Sequence, residues 1–490
     1  MSDANRVRLA HVREVTLGTT PTTPRMRTAR MTGEQIRFAP QTVQSNELRS
    51  DRMNSDPIKV NETNQGAVNG ELSYPVDNSP FSDWLESLFC QVWDNTPTFD
   101  NEGTADSIVT DAGTTTDTYV VASGGAAVVA GHLVRATGFT NAGNNQIFRA
   151  ASSTATTIVG SSLSLTAETA PPAAAKLKVV GFQGASGDLV AVADGITSTA
   201  LDFTTLGLNV GSWIKIGGTA TGDKFATAAC NGWARITVIA AAKITLDNLP
   251  TGWTTDAGTG KTLKVWFGDQ LKNGVDTIGQ TLERGFLSQS VPTYLISRGM
   301  VAGQGEFRFE SEQIATWSIT FQGLTGESTT TALDASPDAA TTNAIMAAAV
   351  NVGRIAENGA VIGGPNYIRS VTLTINNNLR NIGGIRSDGL VGPEDIGKGS
   401  ADVTAQMETY FGSDTLLAKL FAQTATNINI RIAKNSQAMV WALPRLTYTD
   451  GAANATGKNT DVMLPLTSVA SFDTLTESHV MLDRLEYFEV

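Results

Sequence analysis

The chain has 490 residues, which is enough for more than one packing unit, because a single hydrophobic core seldom grows beyond roughly 250 to 300 residues. Charged residues make up 17%, below the usual share of about 25%, and small polar residues with Gly and Ala replace them, a composition typical of β-rich proteins with many turns. The 35 Lys and Arg against 47 Asp and Glu give a net charge of −12, which argues against tight nucleic-acid binding, because such binding needs cations that displace condensed counterions.

The cysteines and the apolar segments indicate the cellular compartment in which the protein is made. Cys90 and Cys230 lie far apart in the sequence, so neither a disulfide framework nor a cysteine metal site is predicted. The N-terminal segment lacks the apolar core of a signal peptide, and no apolar run reaches the roughly 18 residues needed to cross a bilayer. We therefore expect a soluble protein that is made in the cytoplasm and has no membrane partner.

The clearest predicted helix is the stretch "SPFSDWLESLFCQVWDN" at residues 79–95. Ser79 is a typical capping residue, and Pro80 suits the first helical position. Apolar residues recur at the spacing of one helical face, so this helix must lie on a large apolar surface. The residues of that face are Phe81, Trp84, Leu85, Leu88, Phe89 and Val92.

From about residue 104 to residue 268 the chain becomes rich in Ala, Gly, Thr and Ser and repeats itself weakly. Gly131 aligns with Gly211, and three pairs of short segments match at a nearly constant offset, which signals a duplicated module. The matched segments are "VAGHLVRATGFT" with "NVGSWIKIGGTA", "SLSLTAE" with "KITLDNL", and "KLKVVGF" with "TLKVWFG".

After residue 268 the sequence returns to longer alternating patterns, which predict half-buried strands with one polar face. The three clearest examples are "TWSITFQG", "SVTLTINNN" and "NINIRIA". A second helix is predicted in "GSDTLLAKLFAQ", beginning near Ser413 or Asp414. Its inward residues are predicted to be Leu416, Leu417, Leu420 and Phe421. Because both ends of the chain share this character, we predict one β-rich domain that a two-module insertion interrupts.

One motif has the spacing of a phosphate-binding loop, namely "GPEDIGKG" at residues 392–399. Gly399 stands where a Ser or Thr would hold magnesium, and no buried strand leads into the motif. We interpret it as a flexible loop, and we predict no cofactor.

Residues for catalysis or metal binding do not form a recognisable set. His11, His132 and His479 are scattered, whereas metal sites and acyl-transfer triads need histidines beside other reactive groups. Two carboxylates suffice for a glycosidase, but nearly any acidic protein offers such pairs. We therefore predict no catalytic and no metal-binding residue, and a polysaccharide-degrading enzyme remains the weakest alternative.

Four tryptophans fall in the second inserted module: Trp213, Trp233, Trp253 and Trp266. Exposed aromatic rings can stack on sugars, although packing in a core is the commoner role of tryptophan. Glycan binding by the insertion stays open as an alternative.

The stretch "SNELRSDR" at residues 45–52 concentrates charge in a charge-poor chain. No catalytic chemistry explains it, so we interpret Glu47, Arg49, Asp51 and Arg52 as a contact surface. Arginine and carboxylate in bidentate pairs give an interface register and orientation more than affinity. A solvated turn is the alternative.

The charged stretch also belongs to a set of segments that resembles the major tail tube proteins of long-tailed bacteriophages. The resemblance covers roughly residues 14–100 and 275–490, and its motifs occur in the order of that family. They are "EVTLGTTPTTPRMRTARMTGEQIRFAPQTVQSNELRSDR", "VNGELSYPVDNSPFSDWLESLF", "QTLERGF", "TWSITFQGLTGE", "LTINNNLRNIGGIRSDG" and "VTAQMETYFGSDTLLAKLF".

The resemblance implies a β-sandwich flanked by a helix. The expected organisation is a tail-tube domain in two parts, residues 1–104 with an N-terminal arm and residues 269–490, which are separated by inserted β modules at residues 105–187 and 188–268. An insertion of this size must point outward, because it would otherwise block a central channel.

For function, the resemblance implies a structural virion protein that self-assembles into stacked hexameric rings, the tube through which DNA is ejected. It implies a place in the virion tail after synthesis in the cytoplasm of the host bacterium. The implied partners are further copies of the chain, the tape measure, tail terminator and distal tail proteins, and double-stranded DNA that passes without specific binding. By position, Glu47, Arg49, Asp51 and Arg52 would contact subunits of a neighbouring ring. A virion adhesin that acts through the inserted modules is the alternative function.

Overall fold

A computed structural model describes residues 3–102, 117–385, 391–455 and 457–488, together with the backbone of 109–111. Within these residues the protein is mainly β, as the composition predicts. The helices are α1 (Pro80–Phe89), α2 (Ala348–Asn351) and α3 (Thr415–Ala422). Short 3-10 helices occur at Ala4–Arg6, Gly125–Ala127, Ala142–Asn144, Phe203–Thr205 and Ala228–Cys230.

The strands of the first half of the chain, in order, are β1 (Val7–Arg13), β2 (Arg27–Thr28), β3 (Gly33–Glu34), β4 (Arg37–Val43), β5 (Ile58–Glu71), β6 (Thr98–Asp100), β7 (Val109–Asp111), β8 (Thr118–Val121), β9 (His132–Thr137), β10 (Ile147–Ser153), β11 (Thr157–Gly160), β12 (Lys176–Gln183), β13 (Val190–Val192), β14 (Gly195–Thr197), β15 (Trp213–Ile216), β16 (Gly232–Ala240), β17 (Lys243–Asp247) and β18 (Lys264–Trp266).

The strands of the second half are β19 (Asp269–Lys272), β20 (Gln280–Phe286), β21 (Thr293–Glu310), β22 (Thr316–Gly323), β23 (Thr325–Thr329), β24 (Val352–Glu357), β25 (Ala360–Val361), β26 (Ile368–Asn376), β27 (Arg380–Ile382), β28 (Asp395–Gly397), β29 (Asp402–Tyr410), β30 (Thr426–Lys434), β31 (Gln437–Gly451), β32 (Met463–Ala470) and β33 (Met481–Glu486).

The large sheet contains 18 strands, namely β1–β5, β19–β26 and β29–β33. Two long strands give it its layers. The first half of β21 pairs with β20 and β23, and its second half pairs with β22 and β26. In the same way β31 pairs first with β30 and β33 and then with β32. The sheet thereby folds back on itself as a sandwich that encloses one hydrophobic core.

Helix α1 covers part of that core, as its sequence predicts. The hydroxyl of Ser79 accepts a hydrogen bond from the backbone N–H of Ser82, which caps the helix. Trp84 is fully buried and meets the Trp317 and Phe321 rings edge-on, with centroids 5.9 and 5.4 Å away. Burial of each such large apolar side chain contributes about 1.5–3 kcal/mol.

The predicted length of α1 was too great at its C-terminal end. Cys90 adopts a left-handed conformation with φ of 53°, which ends the helix directly after Phe89. Val92 therefore lies outside the helix and is 38% exposed, so its place on the apolar face was a wrong prediction.

The alternating strands are confirmed, but the second helix is only partly so. Trp317, Ile319 and Phe321 are buried along one face of β22. In α3, Leu416 and Leu420 are buried, whereas Phe421 is 77% exposed, so its inward position was a wrong prediction. Helix α3 packs against β31 along one narrow stripe, and Phe421 lies on the flank that no described residue buries.

The strands β6–β18 form a second sheet, called here the inserted sheet, which lies between β5 and β19 in the chain. Its strand order is β7-β8-β11-β10-β9-β12 and then β18-β15-β16-β17-β14-β13. Each strand of the first half therefore has a counterpart at the mirrored position of the second half, and β12 pairs with β18 where the halves meet. This is the topology that two copies of one module produce.

The repeat extends to individual turns. Gly131 and Gly211, which the sequence aligned, have φ of +99° and +93° just before the counterpart strands β9 and β15. Asn145 caps the turn that begins at Phe139 with bonds to both its backbone N–H and its carbonyl, and Asn231 does the same at Phe225. The boundaries at residues 104, 187 and 268 stay a prediction.

Residues 7–13 form β1, which pairs with β20 along its whole length. Leu9, Ala10 and His11 are buried there. The start of the chain is thus part of the sandwich in this structure.

Candidate assembly surface

The charged stretch lies at the tip of the β4–β5 hairpin. The two strands pair from Arg37 with Gln65 outward to Val43 with Ile58, and residues 44–57 connect them. The outer part of β4 and the first residues of β5 are exposed on both faces, so the hairpin projects from the sandwich. The structure thus places Glu47, Arg49, Asp51 and Arg52 together on one protruding tip.

Two of these four residues pair with each other inside the tip. The Arg49 guanidinium donates from Nε to Asp51 Oδ1 at 3.0 Å and from Nη2 to Oδ2 at 2.5 Å. This hydrogen bonding raises the pKa of Arg49 and lowers the pKa of Asp51. The backbone N–H of Met53 also donates to Asp51, and Arg52 takes a left-handed φ of 58°, so the tip has a defined turn.

The other two residues are available for external contacts. Neither Glu47 nor Arg52 forms an ion pair with a residue that the structure describes, and both are exposed. The sequence interpretation expected bidentate arginine pairs between subunits, whereas the Arg49 fork is already occupied within its own chain.

Exposed apolar side chains accompany the charges, and the sequence analysis missed them. Leu48 is fully exposed at the tip and Met53 is 68% exposed. Val43, Ile58 and Val60 are more than half exposed on the hairpin stem. Their signal in the sequence was the presence of isolated apolar residues within a polar segment. Together with the charges they form a surface suited to contact with protein.

A groove of about 910 Å³ lies at the opposite end of β5, beside Glu71. The start of β1, the segment 28–34 and Leu287 also line it. Buried Leu9 forms part of its floor, and the side chain of Arg6 lies exposed on its rim.

A buried ionic cluster joins the inserted sheet to the sandwich. Lys178 of β12 lies 2.7 Å from Asp269 of β19 and 2.9 Å from Asp77, which precedes α1. Arg484 of β33 donates to both carboxylates and stacks 4.2 Å over the Trp93 ring. Burial raises the pKa of Asp269, but Lys178 and Arg484 outweigh it and hold the pKa below its usual value.

A second buried carboxylate beside this cluster is poorly compensated. Asp483 of β33 accepts a hydrogen bond from Gln270 Nε2 at 3.1 Å, and the backbone N–H of Trp213 lies close enough to lower its pKa. Burial raises the pKa of Asp483 to about 8.

The four tryptophans of the second module pack against neighbouring groups and do not form an exposed aromatic surface. Trp213 and Trp266 are fully buried. The Arg431 guanidinium lies 4.9 Å over the ring of Trp233, which also meets Tyr487 edge-on, and Trp253 Nε1 donates to the carbonyl of Val192. The packing of these rings does not support the sugar-stacking interpretation.

The motif at residues 392–399 is part of a hairpin. Asp395–Gly397 forms β28 and pairs with β27, and the Lys398 ammonium donates to the carbonyl of Val275. Strand β29, rather than a helix, comes next after the motif, so its backbone N–H groups do not form the cradle of a phosphate-binding loop.

The remaining candidates for chemistry are dispersed. His11 is buried beside Gln280 and Asp83, and His132 lies against the carbonyl of Leu206. Among the described residues, no group of three or more His, Cys, Asp or Glu could hold a metal ion. Both cysteines are free and buried. No helix in the described part of the chain is both long and apolar enough to cross a bilayer.

The architecture is that of a structural β protein, with a folded-over antiparallel sandwich, a flanking helix and a projecting hairpin. A family model described as phage tail tube protein matches residues 4–248 and 225–473, and the chain belongs to this family. Its members are structural components of the virion tail, so the resemblance seen in the sequence is confirmed. No curated protein matches the chain.

Proposed function

We propose that the chain is the repeating subunit of a phage tail tube, and that it self-assembles into hexameric rings that stack into a conduit for DNA ejection. The observation that carries this proposal is the projecting β4–β5 hairpin, whose tip offers charged and apolar side chains to a partner. An exposed, partly apolar hairpin promotes aggregation of a free monomer, whereas in an assembly it serves as a contact surface between subunits.

The charge of the chain supports passage of DNA without retention. A net charge of −12 gives an acidic surface, which repels phosphate and avoids binding driven by counterion release. Double-stranded DNA is therefore a transient cargo of the tube. The tape measure, tail terminator and distal tail proteins are the expected neighbours inside and at the ends of the tube.

The inserted sheet is proposed to decorate the outside of the tube. The tail-tube domain then comprises residues 1–104 and 269–490, and the outward modules comprise residues 105–187 and 188–268. The buried cluster of Lys178, Asp269 and Arg484 supports a rigid attachment rather than a tethered one. A rigid outward module adds width to the tube and leaves its channel open.

Glu47, Arg49, Asp51 and Arg52 are the proposed subunit contacts. We suggest electron microscopy of the purified protein beside an Arg49→Glu/Arg52→Glu double variant. The parent is expected to form stacked rings with knobs on the outside, and the variant is expected to form no tubes, because the tip has lost its cations and the Arg49–Asp51 turn.

A Lys243→Glu/Lys261→Glu variant is the matched control, since it makes the same change of charge on the inserted sheet. This control is expected to assemble like the parent. A parent protein that stays monomeric, even with tail proteins that nucleate tubes, would contradict the proposed function. If the double variant forms tubes, the four residues are not subunit contacts.

A further inference from the structure

We propose that Arg354 and Arg431, where the sandwich meets the second inserted module, form a binding site for a phosphate group. The two residues lie on the neighbouring strands β24 and β30 and are direct cross-strand partners. The ligand is a phosphate group, either free or carried by a larger molecule. Binding at this site is a property of the single chain and does not require tube assembly.

A bulge in β24 sets the position of the two arginines. The register of β24 against β30 shifts between Val352 and Arg354, so Gly353 is the extra residue. A bulge re-aims the side chain beside it and is common next to functional sites. Here it places Arg354 directly opposite Arg431, on the face of the sheet that is turned away from the hydrophobic core.

Neither guanidinium has a carboxylate partner in the part of the chain that the structure describes. Asp247 of the second module acts on Arg354, but it already accepts hydrogen bonds from Arg235 Nε and Nη2 at 2.9 and 2.5 Å. Like charges directly opposite each other destabilise a sheet, and buried charges in proteins are normally paired. Two positive charges are thus left uncompensated in a chain of net charge −12.

The pKa values of the two arginines reflect this repulsion. Burial, followed by the neighbouring charge of Arg354, lowers the pKa of Arg431 to about 10. Burial also lowers the pKa of Arg354. Arg431 nevertheless stays positively charged at neutral pH, so an anion bound between the two groups would offset their repulsion.

The two guanidinium groups also retain free hydrogen-bonding capacity. Each has five N–H donors. Arg354 Nη2 donates to the carbonyl of Gly359 at 2.7 Å, and its Nη1 reaches the carbonyl of Asn248 at 3.5 Å. Among the described residues, Arg431 makes a single long hydrogen bond, from Nη2 to the carbonyl of Gly353 at 3.4 Å. Most of its donors are therefore available to a ligand.

The surroundings hold the arginines in place and leave them accessible. The Arg431 guanidinium lies 4.9 Å over the Trp233 ring, and that of Arg354 lies 5.8 Å from the centre of the Trp213 ring. Stacking on an aromatic ring orients the planar guanidinium. A Cβ at exposed Gly353 would lie 3.1 Å from Arg431 Nη2, so the missing side chain keeps this group open to solvent.

Charge and donor number favour a phosphate group over a carboxylate. A phosphate monoester carries about −1.5 to −2 charges at neutral pH and three strong acceptor oxygens. A carboxylate has one charge and two oxygens, which a single guanidinium satisfies in a bidentate pair. Two guanidinium groups side by side match the phosphate group in both respects.

Isothermal titration calorimetry of the full-length protein with inorganic phosphate, at constant ionic strength, tests the proposal. The parent is expected to bind phosphate at a single site per chain and to unfold at a higher temperature in its presence. Arg354→Gln and Arg431→Gln are each expected to weaken binding by about tenfold or more, because each removes a charged donor group. Arg308→Gln, which changes an exposed arginine of β21, is the matched control and is expected to bind like the parent.

Two further ligands define the chemistry of the site. Glycerol phosphate that binds as tightly as inorganic phosphate would indicate a phosphate group on a larger molecule, whereas its failure to bind would indicate free phosphate. Sodium acetate is expected to bind much more weakly than phosphate. Acetate that binds equally well would overturn the phosphate assignment.

The parent protein alone can overturn the proposal, even if a variant does not fold. No phosphate binding by the parent contradicts the site, and so does equal weakening of binding in Arg431→Gln and Arg308→Gln. Thermal unfolding without phosphate shows whether each variant is folded. None of these results depends on tube formation, so failure of the phosphate site and failure of the proposed function are distinguishable.

Discussion

Asp269 and Arg484 form a fully buried ion pair, with Nε to Oδ2 at 2.8 Å, and Lys178 of the inserted sheet approaches the same carboxylate oxygen at 2.7 Å. One carboxylate thereby holds cations from both sheets. A buried charge destabilises the fold unless it is paired. Removal of one member of the cluster therefore leaves the remaining charges buried without full compensation.

The first prediction concerns this carboxylate. Asp269→Ala is expected to lower the free energy of unfolding by about 3–5 kcal/mol, since Lys178 and Arg484 would stay buried with only Asp77 between them. Urea denaturation followed by tryptophan fluorescence measures the change. Asp194→Ala, which removes an exposed pair with Lys243, is the control and is expected to cause no measurable change. Equal effects of both variants would show that the buried cluster does not hold the sheets together.

The second prediction concerns pH and Asp483. Its pKa in the folded protein is about 8, against about 3.9 in an unfolded chain. The folded state holds this proton more tightly, so the contribution to stability is fully present below about pH 4 and is lost as the pH rises through 8. We expect the stability of the parent to fall over this range by at most about 1.4 kcal/mol per pH unit relative to Asp483→Asn.

Urea denaturation of both proteins at pH 5, 7 and 9 checks this sign. The groups that act on the Asp483 carboxylate are Gln270, the backbone N–H of Trp213, Lys272 and Arg235, and all are retained in the variant, so the difference between the two curves reports Asp483 alone. Parallel curves would mean that Asp483 is ionised in the folded protein.

The third prediction uses the repeat within the inserted sheet. Asn145→Ala removes the side chain that bonds the backbone N–H and carbonyl of Phe139, and Asn231→Ala removes the equivalent bonds to Phe225. Each substitution is expected to lower the free energy of unfolding by about 1–3 kcal/mol. Hydrogen exchange should rise mainly at residues 139–145 in the first variant and at residues 225–231 in the second. Thr204→Ala, which loses one exposed bond to Asp202, is the control. If only one of the two variants is destabilised, the two turns are not equivalent.

The fourth prediction tests the contact of α1 with the sandwich. A Cβ at Gly305 in β21 would lie 2.3 Å from Leu88 Cδ2, so Gly305→Ala is expected to destabilise the protein by about 1–3 kcal/mol through overpacking. Gly363→Ala, where a Cβ meets no atom within 4 Å, is the control. Thermal unfolding compares them, and a partial rescue by Leu88→Ala in the double variant would assign the cost to this contact.

The sequence predicted the features that local patterns determine. Capping by Ser79 and the inward set of β22 depend on neighbours in the chain, and both were confirmed. The exposure of Phe421 was missed, because helical spacing shows which residues share a face but not how wide a surface covers them.

The site was predictable only in part, for the same physical reason. The charged tip is one continuous segment and could be found by its composition. The groove brings together Arg6, Glu71 and Leu287, and the buried ionic cluster brings together Lys178 and Arg484. Only the folded topology places such distant residues side by side.

A cryo-electron microscopy reconstruction of the assembled protein tests the central claim most directly. The account predicts stacked hexameric rings, with residues 44–57 between successive rings and the inserted sheet on the outer surface. Monodisperse monomers under all conditions, or a tube in which the inserted sheet fills the channel, would contradict it.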